Sequence, residues 1–89
     1  MKAYITVMGK DRVGIIAKVA TALADCKVNI EDINQTILQG TFTMIMAVGT
    51  EESSMTIEEI GACLKKCGEE LGVEIAIRHE DIFNAMHSI

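Results

Sequence analysis

Polar and apolar residues alternate along residues 2–7 and then give way to a helical spacing. Strict alternation is the period-two pattern of a β-strand, so we predict a first strand there. Beyond residue 12 the apolar positions recur at the spacing of a helix, and they are Val13, Ile16, Ala17, Ala20, Leu23 and Ala24. We predict that Asp11 or a near neighbour caps this helix, because a carboxylate can accept hydrogen bonds from the N–H groups of the first turn.

A long polar-rich strand and an apolar strand follow, joined by a tight turn. Residues 28–39 carry polar and charged side chains between isoleucines, which suits a strand at the edge of a sheet. Gln39-Gly40-Thr41 is a hairpin signal, because glycine readily adopts a positive φ. Residues 42–48 are apolar on both alternating faces, which is typical of an interior strand in a sheet with both faces covered.

The second helix is predicted from its start signal and its apolar stripe. Ser54 and Thr56 are both candidate caps, and Thr56 with Glu59 has the spacing of a capping box. Either Gly68 or Gly72 can end the helix. The stripe consists of Ile57, Ile60, Leu64, Cys67 and Leu71.

The order of elements indicates an α+β fold. With a fourth strand over residues 73–78, the order is strand, helix, strand, strand, helix, strand, the split βαβ arrangement of ferredoxin-like domains. We predict a single domain over residues 1–89, a βαββαβ sandwich with a four-stranded antiparallel sheet and both helices on one face. A short C-terminal helix over residues 81–86 should pack on the body through Ile82 and Met86. Because the third strand lacks a polar face, we expect the C-terminal segment or another subunit to cover part of the open face.

Composition and charge exclude several classes of function. The 89 residues are 49% apolar and 24% charged, which is the balance of one folded domain. No apolar run approaches the roughly 20 residues of a membrane span, and the N-terminus lacks a signal-peptide pattern, so we expect a cytoplasmic protein without a membrane partner. The net charge of -5 and the 3% aromatic content argue against binding to nucleic acid.

Gly14 stands out at the start of the first helix. Within a first turn, glycine costs about 1 kcal/mol relative to alanine, so we expect something to approach the backbone closely. A bound carboxylate or phosphate could occupy the helix N-terminus, where N–H donors are available. An adjoining strand or a partner subunit could equally pack there, and from the residues alone this close packing is the favoured interpretation.

The pattern of cysteines favours packing in the core over a metal site or a disulfide. Cys26, Cys63 and Cys67 leave one thiol unpaired under any disulfide scheme, so we expect reduced, mostly buried thiols. Cys63 and Cys67 lie one helical turn apart, with His79 and His87 downstream, but this spacing is a weak metal signal. Cys67 falls on the apolar stripe, which favours core packing. We predict neither a metal site nor a cofactor.

Two segments give the chain a family resemblance. The run from Gly9 to Ala17 and the run Val28-Asn29-Ile30 that opens the second strand together resemble an ACT domain over nearly the whole chain. The segment from His79 to Phe83 resembles the tail of small stand-alone bacterial members. The resemblance implies a regulatory domain that binds a small molecule, very often an amino acid. It also implies a homodimer paired side by side through the second strand and first helix, with the ligand between the subunits.

Carried over by position, the resemblance implies a ligand site made by two chains. The loop of one chain would contribute Gly9, Lys10, Asp11, Arg12, Val13 and Gly14, and the other chain would contribute Asn29 and Ile30. An amino-acid carboxylate could then lie at the helix N-terminus, with its ammonium against Asp11 or Asn29. Gly9 and Asp11 depart from the pattern of serine-sensing members. The alternative is that Asp11 only caps the helix and Asn29 only shapes a turn.

Two other functions compete with ligand binding. One is an interaction module that pairs with itself or docks to a metabolic enzyme or regulator without a ligand. The other is an acylphosphatase-like enzyme, in which Arg12 would hold a phosphate, although the neighbouring Asp11 would repel it. We therefore predict a non-enzyme. The homodimer could join two sheets edge to edge or stack two open faces.

Overall fold

The computed structural model describes residues 2–82. Its elements are β1 (Lys2–Lys10), α1 (Ile15–Asp25), β2 (Asn29–Leu38), β3 (Thr41–Gly49), α2 (Ile57–Leu71) and β4 (Val73–His79). Residues 80–82 are helical, where a short C-terminal helix was predicted to start one residue later. The predicted element order and the ferredoxin-like α+β class are confirmed.

The sheet has the order β2-β3-β1-β4, and all neighbouring strands are antiparallel. The predictions of β2 as an edge strand and β3 as an interior strand are therefore confirmed. Gln39 and Gly40 form the turn between them, with φ values of 51° and 80°, as the hairpin signal required. A register shift between Ile30 and Asp32 interrupts the start of β2, and the pairing from Asp32 to Leu38 is regular.

The core lies between the helices and the sheet face they cover. The alternation of β1 is confirmed, because Ala3, Ile5 and Val7 are completely buried. In α2, Thr56 is the N-cap and forms the predicted capping box with Glu59. The predicted stripe of α2 is also confirmed, with Ile60, Leu64, Cys67 and Leu71 buried and Ile57 packed against the core.

The stripe predicted for α1 is confirmed at Leu23 and is otherwise displaced by one residue from the buried face. The buried residues of α1 are Ile15, Val19 and Leu23, whereas Ile16 is 39% exposed and Val13, before the helix, is fully exposed. Nearly the whole helix is apolar, so spacing alone did not determine the buried face. As a result, α1 presents apolar residues to both the core and its outer side.

The second sheet face, away from the helices, carries partly exposed apolar residues. Met8 is 53% exposed and Ile45 is 38% exposed.

In the C-terminal segment, Ile82 is 57% exposed, so the prediction that it packs on the body is wrong, and Met86 lies outside the described residues. Within residues 2–82 there is no helix with the length and hydropathy of a transmembrane segment.

Candidate functional site

The loop between β1 and α1 starts α1 without a side-chain cap. Gly14 is the N-cap residue, in a left-handed conformation with φ 89°, and no side chain accepts from the first turn. The prediction of Asp11 as the cap is therefore wrong, because Asp11 lies three residues before the N-cap. The Asp11 N–H instead donates to the carbonyl of Gly40 at 2.9 Å, which links the loop to the β2–β3 hairpin.

The requirement for glycine at position 14 comes from its backbone conformation. The prediction of close packing at this residue is not borne out within the chain, since a Cβ built on Gly14 would meet no heavy atom within 4 Å. A φ of 89° lies in a region that other residues adopt with strain. The backbone conformation of this loop, and not crowding from neighbouring elements, thus favours glycine at position 14.

We expect Gly14→Ala to lower the free energy of unfolding by roughly 1–2 kcal/mol, because alanine is strained at this φ. Gly14→Asn should recover about half of that loss, since asparagine tolerates the left-handed region and the space beside it is open. Urea unfolding of the three proteins measures this difference. Equal losses for both variants would mean that side-chain volume, and not φ, requires glycine here.

A groove of about 470 Å³ opens between the start of α1 and strand β2. Its lining includes Asp11, Arg12, Gly14, Ile15, Ile16, Ala17, Gln35, Ile37 and Phe42. The Lys18 N–H is bonded to the Gly14 carbonyl at 2.9 Å, so the N–H groups of residues 15–17 have no acceptor within the helix. The groove therefore combines helix N–H donors, a carboxylate, an amide and apolar side walls.

Three of the predicted site residues line this groove, and the remaining five do not. Asp11, Arg12 and Gly14 are at the groove, while Val13 and Lys10 are exposed outside its lining. The other three predicted site residues that do not line the groove are Gly9, Asn29 and Ile30.

Gly9 has a packing role in β1. It pairs with Val73 of β4, and a Cβ built on Gly9 would lie 2.8 Å from Val73 Cγ1. Arg12 has a second neighbour besides the groove, because a Cβ built on Gly72 would lie 3.5 Å from Arg12 Nη2. The guanidinium is thus close to the C-terminal end of α2, where a positive charge interacts favourably with the helix dipole.

Asn29 and Ile30 lie at the far end of the sheet from the loop. Asn29 pairs with Gly49, which in turn pairs with Lys2, whereas the loop follows Lys10 at the opposite end of β1. One chain alone does not bring Asn29 and Asp11 together. A shared site therefore requires a second chain.

Sequence reasoning missed the wall that β2 contributes. Gln35, Ile37 and Phe42 line the groove, and Ile37 is 56% exposed although it is on the helix side of the sheet. The available signal was the set of isoleucines in a polar edge strand.

The thiols are confirmed as mostly buried, with one exception. Cys26 and Cys67 are buried, and Cys63 is exposed. Burial raises the pKa of Cys67, and burial together with a hydrogen bond to Cys63 raises the pKa of Cys26. Core packing of Cys67 is confirmed, and residues 2–82 contain no group of three or more side chains arranged to hold a metal. His87 lies outside the described residues.

Burial makes the folded state hold the protons of Cys26 and Cys67 more tightly than the unfolded state does. The contribution of these two thiols to stability is complete below the ordinary pKa of 9.0 and is lost as the pH rises through the raised folded values.

We expect Cys63 to be alkylated at least about tenfold faster than the other two thiols at pH 8, because the thiolate fraction and the exposure of the sulfur both govern the rate. Iodoacetamide labelling followed by peptide mass spectrometry measures the rates. A fast phase that survives Cys63→Ser would contradict this assignment.

The βαββαβ fold with a groove between its first helix and edge strand defines a class of ferredoxin-like domains. Residues 3–78 match the sequence profile of the ACT domain. The chain is 43% identical over 88 residues to a UPF0237 protein of Methanopyrus kandleri, covering 99% of this chain and 98% of that protein. The chain therefore belongs to the ACT domain family, and the resemblance seen in the sequence is confirmed.

Two solved structures are similar to this one. An ACT domain protein from Streptococcus pneumoniae has a TM-score of 0.83 and 38% identity, over 93% of each chain. The regulatory subunit of aspartate kinase from Thermus thermophilus has a TM-score of 0.68 and 28% identity, over 86% of this chain and 50% of that one.

Proposed function

We propose that this chain is a regulatory ACT domain that binds an amino acid in the groove between α1 and β2, as a homodimer. The observation that carries the proposal is the uncapped N-terminus of α1, which opens on a groove of about 470 Å³. Helix N-termini bind anions through their N–H groups and dipole. The apolar groove walls suit the side chain of a small ligand.

The polar groups of the groove match the two charges of an amino acid. Its carboxylate would accept from the N–H groups of residues 15–17, and its ammonium would lie against the Asp11 carboxylate or the Gln35 amide oxygen. Ile16 and Ile37 form apolar walls on the two sides of the groove. This assignment keeps Asp11, Arg12 and Gly14 from the predicted loop and adds the wall of β2.

The apolar surface beside the groove supports side-by-side pairing of two chains. Ile33 and Ile37 are 40% and 56% exposed on the regular part of β2, and Ile16 of α1 is exposed beside them. Antiparallel pairing of two β2 strands about Gln35 would place Ile33 of one copy opposite Ile37 of the other. These apolar cross-strand pairs would stabilise the dimer.

The same pairing would complete the site with Asn29 and Ile30. In that register Asn29 of one copy lies close to the turn formed by Gln39 and Gly40 of the other. The carbonyl of Gly40 in this turn accepts from the Asp11 N–H. The proposed pairing thus supports the assignment of Asn29 and Ile30 to a ligand site across the interface, which one chain by itself does not form.

The proposed output is regulatory and not catalytic. The similar aspartate kinase subunit is named as regulatory, which supports a metabolic enzyme or regulator as the partner of this chain. The position of Arg12 near the end of α2 supports a structural role for its charge over phosphate binding in an acylphosphatase-like reaction. Cytoplasmic location remains a prediction.

A thermal-shift scan against the twenty amino acids tests the proposal. One amino acid should raise the melting temperature, and Asp11→Ala should abolish the rise while leaving the circular dichroism spectrum unchanged. Asp25→Ala is the matched control, because Asp25 is exposed at the other end of α1 and does not line the groove. A rise that persists in Asp11→Ala would remove the loop from the site.

The exposed apolar surface of α1 and β2 also favours a second candidate, an interaction module without a ligand. No shift with any amino acid at millimolar concentration, combined with a dimer by sedimentation, would support this second function. Ligand binding should instead tighten the dimer, because a ligand held by two chains stabilises their association.

A further inference from the structure

The sheet face away from the helices, called the open face here, has an uncharged centre. The central side chains are Tyr4, Thr6, Met8, Thr43, Ile45 and Ala76. Ile45 and Met8 are exposed in the described chain, and the others are half-buried by their neighbours. Partly exposed apolar residues on the two interior strands indicate a surface that binds another surface.

Strand β4 carries two opposite charges on the open face, at equal distances from this centre. On β4, Glu74 pairs with Met8 and Arg78 pairs with Tyr4, while Ala76 between them pairs with Thr6. Glu74 and Arg78 thus lie on opposite sides of Ala76, each two residues away from it, and are about 13 Å apart along the strand. A rotation of 180° that reverses the strand direction exchanges their positions.

We propose that a second copy of this chain stacks on the open face. The two-fold axis lies between the two sheets, perpendicular to the strands, at the level of Thr6. Strand β4 then lies over β4 of the second copy, and Glu74 of each copy faces Arg78 of the other. Met8 of each copy faces Tyr4 of the other, and Ile45 lies near the axis. The interface has an uncharged centre and two ion pairs at its rim.

Charge and size both favour a second copy as the occupant. The open face carries both signs of charge, with basic Lys2, Lys10 and Arg78 and acidic Asp32 and Glu74. The same rotation places Lys2 of each copy opposite Lys10 of the other at the ends of β1, where the Lys2 ammonium is 4.0 Å from the Glu31 carboxylate of its own chain. Four strands of this length form a face of about 19 Å by 26 Å. The flat area is therefore about 490 Å², somewhat more than half of the roughly 800 Å² that each partner buries in a standard-size interface.

Stacking is compatible with side-by-side pairing through β2. The two interfaces use different surfaces, and the axis of β2 pairing is perpendicular to the stacking axis. The β2 pairing is centred on Gln35 and the stacking axis passes at Thr6. These two positions differ by one residue along the strands, since Gln35 pairs with Met44, which pairs with Val7. Perpendicular two-fold axes that intersect generate a closed tetramer of two stacked eight-stranded sheets, and a shift of one residue in either interface brings the two axes together.

Charge reversal tests the stacked interface. We expect Arg78→Glu and Glu74→Arg each to weaken the stacking association by at least tenfold in sedimentation equilibrium, because each brings like charges together twice. The double variant E74R/R78E should return within about threefold of the wild type, since it restores both pairs with the signs exchanged. Lys66→Glu is the control for net charge, because Lys66 is exposed on α2 and not on the sheet. Unchanged association in both single variants would overturn the proposal.

Two apolar variants separate this interface from the one in the proposed function. Ile45→Lys should leave a dimer paired through β2, Ile37→Lys should leave a stacked dimer, and the double variant should be a monomer. An Ile37→Lys variant that is already a monomer would overturn stacking. A dimer in Ile37→Lys with the same mass as the wild type would instead contradict β2 pairing and leave stacking supported. A wild type that stacks only after residues 83–89 are removed would also overturn the proposal, because the chain itself would then occupy the face.

Discussion

Replacing Gly68 by alanine is expected to lower the free energy of unfolding by about 2 kcal/mol. Gly68 is buried inside α2, and a Cβ at this position would lie 2.6 Å from the carbonyl oxygen of Val73. That oxygen belongs to the backbone of β4, which is held against β1 by the pairing of Val73 with Gly9. The clash therefore outweighs the gain of about 1 kcal/mol that alanine brings to a helix interior. Urea unfolding followed by circular dichroism measures the loss.

Gly61→Ala is the matched control in the same helix. A Cβ on Gly61 would lie 3.4 Å from Ile77 Cγ2, which is the end of a side chain at an ordinary contact distance. Here the helix preference of alanine should dominate, and the free energy of unfolding should rise by up to about 1 kcal/mol. The two identical substitutions should thus differ in sign. A gain for both would show that α2 can move away from β4 at low cost.

Ile60→Ala should have the largest effect of a single substitution, a loss of about 3–4 kcal/mol. Ile60 is completely buried in the first half of α2 and belongs to the core between the helices and the sheet. Removing its outer carbons loses the burial of apolar surface and leaves a cavity that the surrounding side chains fill only in part. The loss is a large fraction of the roughly 5–15 kcal/mol that stabilise a typical domain.

The same change at Ile82 serves as the comparison for Ile60. Ile82 is 57% exposed, so Ile82→Ala should change the free energy of unfolding by less than about 0.5 kcal/mol. Chemical denaturation of both variants at equal protein concentration provides the measurement. A loss at Ile82 comparable to that at Ile60 would mean that this residue is buried in solution by a contact outside the described chain.

Much of the fold was predictable because local signals and burial agreed. The capping box at Thr56, the stripe of α2 and the turn at Gly40 each have one physical solution, and the structure contains all three. The phase of α1 was not predictable, because its polar residues Lys18, Thr21 and Asp25 occupy one narrow side and the apolar side is wider than the buried face, so the pattern does not give the direction of that face. The start of α1 at Ile15, after a left-handed Gly14, fixes that direction, and the sequence pattern does not reveal it.

The candidate site was predictable only in the segment that is continuous in sequence. Asp11, Arg12 and Gly14 were assigned from the loop, and they do line one groove. Gln35 and Ile37 come from a strand that is far away in the chain, and their position depends on how α1 leaves the edge of β2 uncovered. Such long-range geometry has no local signal. Asn29 depends further on a second chain, so it stays a prediction.

The strand order also determines how the chain must fold. Only β2 and β3 are joined by a tight turn, whereas β1 lies between β3 and β4, which follow it at long separations in sequence. Closing those long loops costs conformational entropy before the hydrogen bonds and contacts of β1 can compensate for it. The insertion of β1 should therefore limit the refolding rate. The hairpin can form first, with its turn at Gln39 and Gly40 already in place. Changes in this turn should therefore act on the rate of folding more than on the rate of unfolding.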